Sequence, residues 1–242
     1  MAPPDRSPTP AGAPRAGDDA QLSAARIFLR PIANPFALGF VGLAVATLLV
    51  SGLELGWVSG AERTQTALLI IVFAPTVQLL ACVFGFLARD AVAATALGVQ
   101  GATWLAIGVS LLLSRPSSHG HSHELALLLF VSGTALFASA TIAAHTKLVP
   151  ALVVGLCGLR FVLTGVYKLG AGGGAWQHAA AWAGVALCGL ALYAVLSLEL
   201  EDIRHRTVLP TLRRHRGRRV LDPQLPEQVR EVAAEAGVRS QL

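Results

Sequence analysis

Six stretches of about twenty predominantly apolar residues, broken by short polar segments, run along the chain at 36–55, 66–88, 91–114, 124–145, 148–169 and 176–200. Each has the length that crosses roughly 30 Å of hydrocarbon as a helix, so each is predicted to be a membrane span. The connections between them are too short for an intervening soluble domain and make neighbouring spans antiparallel hairpins. The first helix should open at Asn34-Pro35. Asn is a good N-cap because its side-chain oxygen accepts a free amide of the first turn, and Pro at the first helical position has no amide to leave unpaired. The expected fold class is an all-α membrane protein, a six-transmembrane-helix bundle.

Composition points the same way. Of the 242 residues, 54% are hydrophobic and 14% charged, where soluble domains carry about a quarter charged residues. Residues 1–30 hold Arg6, Arg15, Asp18 and Asp19 among five prolines and no apolar core, which reads as a disordered cytoplasmic tail rather than a signal peptide. The membrane domain occupies 31–203. From 204 to 242 the chain is basic, and Val229, Val232, Ala233 and Ala236 recur at the spacing of a short amphipathic helix. With both tails inside, fifteen Lys and Arg fall on the inner side and three, Arg63, Arg115 and Lys168, on the outer. That asymmetry orients the bundle with both termini cytoplasmic. The basic tail suits an anionic lipid surface and serves as a topology anchor; nucleic acid is not an expected partner.

Cys82, Cys157 and Cys188 all fall within apolar runs and read as packing residues. Three GxxG pairs, Gly39/Gly42, Gly98/Gly101 and Gly155/Gly158, stand in spans one, three and five. They fit either three two-helix repeats around a pore or simple close packing of helices. Polar side chains at membrane depth are Thr47, Gln78, Thr95, Gln100, Thr103, Thr134, Thr164 and Arg160. The threonines can bond the preceding turn, whereas Gln78 and Gln100 must face the bundle interior, bonded between helices or lining a pathway.

Arg160 is the thirteenth of the 22 residues of its run, too deep for easy snorkelling. Glu54, Glu124 and Glu199 lie near span ends, so no mid-depth carboxylate is expected within the subunit. The guanidinium would then bind a substrate carboxylate, helix carbonyls or a neighbouring subunit. His119, His121 and His123, in one outer loop, are weak metal-ligand candidates against a plain solvated loop. No HExxH, GxSxG or P-loop is present, and neither an enzymatic activity nor a cofactor is expected.

Residues 34–40, Asn-Pro-Phe-Ala-Leu-Gly-Phe, resemble the signature of the acetate uptake transporter family, the small six-helix acetate-succinate permeases and fungal acetate and ammonia-export proteins. Gln78-Leu79-Leu80-Ala81, Trp104, residues 181–184 with Cys188-Gly189, and residues 206–210 are similar to later family motifs in the same order. The resemblance implies a homo-hexamer with one pore per subunit. It aligns the family's constriction on Leu43, Gln100 and Leu156, of which only the leucine of span five is kept. Gly85 stands where a glutamate is usual, and 89–93 departs from the family's Gly-Asn-Thr-Phe-Gly. The implied function is transport of acetate or related small monocarboxylates, proton-coupled or channel-like, with Asn34, Leu43, Gln78, Gln100, Trp104, Leu156 and Arg160 as pathway candidates. The alternatives are an ammonium or neutral-solute channel and a non-transporting sensor or scaffold built on the His loop.

Overall fold

In the computed structural model, which describes residues 33–114, 121–170, 174–204, 209, 210 and 212, every expected span is a helix. These are α1 (Pro35–Glu54), α2 (Arg63–Leu87), α3 (Ala91–Leu113), α4 (His123–Ala143), α5 (Leu148–Lys168) and α6 (Gly174–Arg204). All six are long and apolar enough to cross a membrane, which makes this a multi-pass membrane protein. The expected tail 1–30 and, apart from residues 204, 209, 210 and 212, the expected tail 204–242 with its amphipathic helix and most of the 206–210 motif lie outside the described residues, as does His119.

Local chemistry sets the helix ends. Asn34 Oδ1 accepts the Phe36 amide at 3.1 Å with Pro35 at the first position, as the sequence predicts. Asp90 caps α3 through the Ala93 amide at 2.9 Å, and Ser122 caps α4 through that of Leu125 at 3.3 Å. α2 begins before its apolar run because a 3-10 turn, Gly60–Glu62, feeds it. There the Glu62 carboxylate accepts from the Ser59 amide at 3.0 Å and hydroxyl at 2.7 Å. α1 ends through Gly56 at φ 75°, with Trp57 N–H donating to the Gly52 carbonyl at 2.8 Å. Arg89, at φ 56°, does the same for α2, with Asp90 N–H donating to the Gly85 carbonyl at 3.0 Å. α6 outruns its apolar stretch to Arg204 because the buried Glu201 pairs with Lys147 at 3.5 Å.

The helices close into a ring in chain order, α6 returning to pack on α1. The broadest interfaces join α2 to α3, α4 to α5 and α6 to α1. Two-helix units are therefore present, but they begin at the even helices, and the third is completed by the two ends of the membrane domain. α1 and α5 are the most enclosed helices, α2 and α4 the least. One end of the ring, called proximal below, carries Asn34, the α2–α3 and α4–α5 turns and Arg204. There Tyr193 Oη donates to the Pro210 carbonyl at 3.1 Å and the Leu148 amide to that of Leu212 at 3.3 Å. The distal end carries the other three connections. Inside, Phe40, Leu43, Leu97, Trp104, Val153, Cys157, Phe161 and Leu187 form a continuous core.

Candidate functional site

Every helix contributes to a recess at the distal end. Counting its open mouth, it holds about 690 Å³ of empty space. Val50, Leu53 and Glu54 come from α1, Arg63 from α2, Ile107, Ser110 and Leu111 from α3, Leu125 from α4, Thr164, Tyr167 and Lys168 from α5, and Gln177 from α6. Trp104 and Phe161, buried to 0% and 1% exposure, make its inner wall with Arg160. Their rings meet edge to face, centroids 5.3 Å apart. Since α3 and α5 are not neighbours in the ring, this contact spans the bundle interior and separates the recess from the layer beneath.

Charge is concentrated in the recess. Among the described residues lining it, Arg63, Arg160 and Lys168 are cationic and Glu54 is the one carboxylate. Arg63 Nε donates to the Leu111 carbonyl at 3.3 Å, and Lys168 lies over the Tyr167 ring, 5.1 Å from its centroid. Gln177 Nε2 donates to the Glu54 backbone carbonyl at 3.3 Å, tying α6 to the end of α1.

Arg160 is only 1% exposed, and its guanidinium is paired within the chain. Nη2 donates to Glu54 Oε2 at 3.2 Å, and Nη1 donates to the Ala180 carbonyl of α6. This corrects the expectation that no carboxylate within the subunit could meet it. That reading placed both residues by backbone depth. An extended arginine reaches roughly 6 Å, about four residues of helix rise, and Glu54 extends back toward it from the end of α1. The guanidinium passes over Gly184 of α6, where an added Cβ would collide with Nη1 and with Ser51 Oγ.

One turn to the proximal side of Trp104 lies a second polar layer. Gln78 Nε2 donates to Gln100 Oε1 at 3.1 Å and to the Gly39 carbonyl at 3.3 Å, both glutamines being fully buried. Gly42 and Gly101 make room for Gln78: a Cβ on either would lie 3.1 or 3.2 Å from its side chain. Gln78 Oε1, Gln100 Nε2 and Trp104 Nε1 have no hydrogen-bond partner among the described residues. Buried polar atoms in that state are costly, and each retains capacity for a further hydrogen bond.

The sequence-predicted pathway residues thus divide. Gln78 and Gln100 touch, and Trp104 shares the Gln100 face of α3 one turn away. Trp104 and Arg160 line the recess together. Leu43, fully buried, and Leu156, half-buried, pack in the core and do not line it. Asn34 spends its side-chain oxygen as a helix cap at the proximal end and is not brought to the others. Thr103, Thr134 and Thr164 bond the preceding turn as anticipated, but Thr47 Oγ1 reaches across to the Gly184 carbonyl at 3.4 Å. All three cysteines are unbridged packing residues. His121 and His123 belong to no group of three metal-ligating side chains among the described residues.

Sequence reasoning missed Glu54, Arg63, Phe161, Lys168, Gln177 and Gly184. The only signal in the chain was that Glu54, Arg63 and Lys168 all border connections on one side of the membrane. No family model matches the chain, and no curated protein matches it. Among solved structures, that of the bacterial acetate channel SatP superposes with a TM-score of 0.64 at 23% identity, covering 74% of this chain and 98% of that one. The fold of this protein is therefore that of the bacterial acetate channel SatP.

Proposed function

We propose that this protein carries acetate and related small monocarboxylates across the bacterial inner membrane, the distal recess serving as the outer vestibule of a pathway through each subunit. The observation that carries the reading is the pair of fully buried donors, Gln100 Nε2 and Trp104 Nε1, one turn apart on α3 and without partners among the described residues. A carboxylate has two acceptor oxygens to offer them. With an ordinary pKa of about 4 to 5 a carboxylic acid is almost wholly anionic at neutral pH, and lipid opposes its passage in that form. Three cationic side chains and one carboxylate among the described lining residues make the recess an attractor for such an anion. The motifs at 34–40 and 78–81 and the fold likeness support the same solute class.

The finer features belong to this reading as well: proton coupling, hexameric assembly and cytoplasmic termini, with transport and not bond chemistry as the activity. Uptake of labelled acetate into proteoliposomes, above protein-free vesicles, is the expected result. Flux no greater than in empty vesicles would count against the proposal.

A further inference from the structure

The Arg160–Glu54 pair occupies the position in the recess wall where an incoming carboxylate would find its best-matched partner. A guanidinium presents paired donors to a carboxylate, and Glu54 already holds one of them, Nη2, at 3.2 Å. Glu54 stands at the end of α1 and is about 10% exposed, while Arg160 is 1% exposed, so the pair borders the recess from its carboxylate side.

Other charges around Glu54 bear on how it can be replaced. α5 supplies Arg160, Tyr167 and Lys168, and α2 supplies Arg63; α6 contributes the neutral Gln177, α3 the neutral Ser110 and α4 the apolar Leu125. All the charged neighbours among the described residues are cationic, so the Glu54 carboxylate is held while no second carboxylate competes for Arg160. A second carboxylate arriving on the same guanidinium changes the balance. Two carboxylates at close range in a water-poor site share a proton instead of both remaining charged.

Resting on the transport reading above, we propose that Glu54 is the resident occupant of an anion site built by Arg160. A small carboxylate takes its place only with a proton that neutralises Glu54, so that anion and proton move one for one. Taken from the undissociated acid, the exchange is balanced. The acid's O–H bond breaks, an O–H bond forms on Glu54, and the new carboxylate takes the donors that Glu54 releases. Arg160 stays protonated throughout, since arginine does not lose its proton in proteins. Gly184 is part of the device, because a side chain there would displace the guanidinium.

The test is acetate uptake into proteoliposomes by wild type and Glu54→Gln, as a function of external pH and of an imposed potassium diffusion potential. Wild-type flux should fall with rising pH by up to about tenfold per unit, as expected when one proton accompanies each anion, and should ignore the potential. In Glu54→Gln the amide cannot carry the proton, so flux should lose this pH dependence and respond to the potential as an anion leak. Glu54→Gln flux that keeps the wild-type pH profile overturns the inference and leaves transport standing. Absence of wild-type flux overturns both. If Glu54→Gln does not purify as a folded oligomer, the wild type alone decides: electroneutral uptake supports the proposal and net charge movement overturns it.

Discussion

Arginine survives at membrane depth only where its charge is answered, and here the answer is shared by Glu54 and the Ala180 carbonyl. The glutamine layer is organised differently, by one hydrogen bond between the two side chains and one from Gln78 to the Gly39 carbonyl, which leave a donor and an acceptor over. Removing one partner is worse than removing both, because the survivor keeps its desolvation cost without its bond. Gln100→Leu should therefore destabilise the purified protein by about 1–3 kcal/mol, read as a lowered Tm. Gln78→Leu/Gln100→Leu should recover much of that stability yet carry little acetate, since the Gln100 donor is gone. A double variant with wild-type flux would show that the layer is structural only. Gly85 illustrates a residue whose identity the local fold explains. An added Cβ would lie 2.8 Å from the Ala94 amide nitrogen, so the tight α2–α3 turn excludes the glutamate usual in the resembled family.

Helix pairs are held by small residues placed where backbones approach. On α4 and α5, an added Cβ at Gly133 would sit 2.9 Å from the Gly158 carbonyl oxygen, and one at Gly158 would sit 2.9 Å from that of Gly133. Neither backbone oxygen can move without separating the helices. Gly155, the other half of that GxxG pair, has Ala140 Cβ as its nearest neighbour at 3.5 Å, an ordinary contact. Gly158→Ala should accordingly cost about 1–3 kcal/mol through overpacking, and Gly155→Ala should be neutral or slightly stabilising, as alanine favours helix. Thermal unfolding of the two variants checks this. Equal losses would mean that the pair acts through something other than close approach.

At the scale of the whole membrane bundle, closure of α6 on α1 gives six antiparallel helices a single interior, with the charged recess at the end away from Asn34 and Arg204. In the proposed orientation, which rests on the fifteen-to-three distribution of Lys and Arg, that end faces outside. Reporter fusions before Met1 and after Leu242 should both report the cytoplasm; periplasmic signals from both would reverse the side of the recess, and one from either alone would overturn the six-span count. The many exposed apolar side chains on α2 and α4, such as Leu69, Val72, Leu127 and Val131, suit lipid or neighbouring subunits equally. A hexamer should run in native mass measurements as six subunits of 25.2 kDa, and a monomer would remove the assembly from the proposed function.

The number, length and order of the spans were legible in the sequence, because an apolar run of membrane length leaves the backbone no other way to satisfy its amides than a helix. Helix starts were legible too where a side chain caps its own helix, as at Asn34. Burial of Gln78 and Gln100 followed from the cost of placing an amide in lipid, though which atoms they bond did not. What only the tertiary structure decided is which side chains from different helices share a layer. Arg160 and Glu54 are 106 residues apart, and their meeting depends on how α1, α5 and α6 are rotated and staggered in the ring and on the space left by Gly184. Hydropathy carries depth along a helix to within a turn, whereas an ion pair needs depth, azimuth and side-chain reach together, and those are fixed by packing.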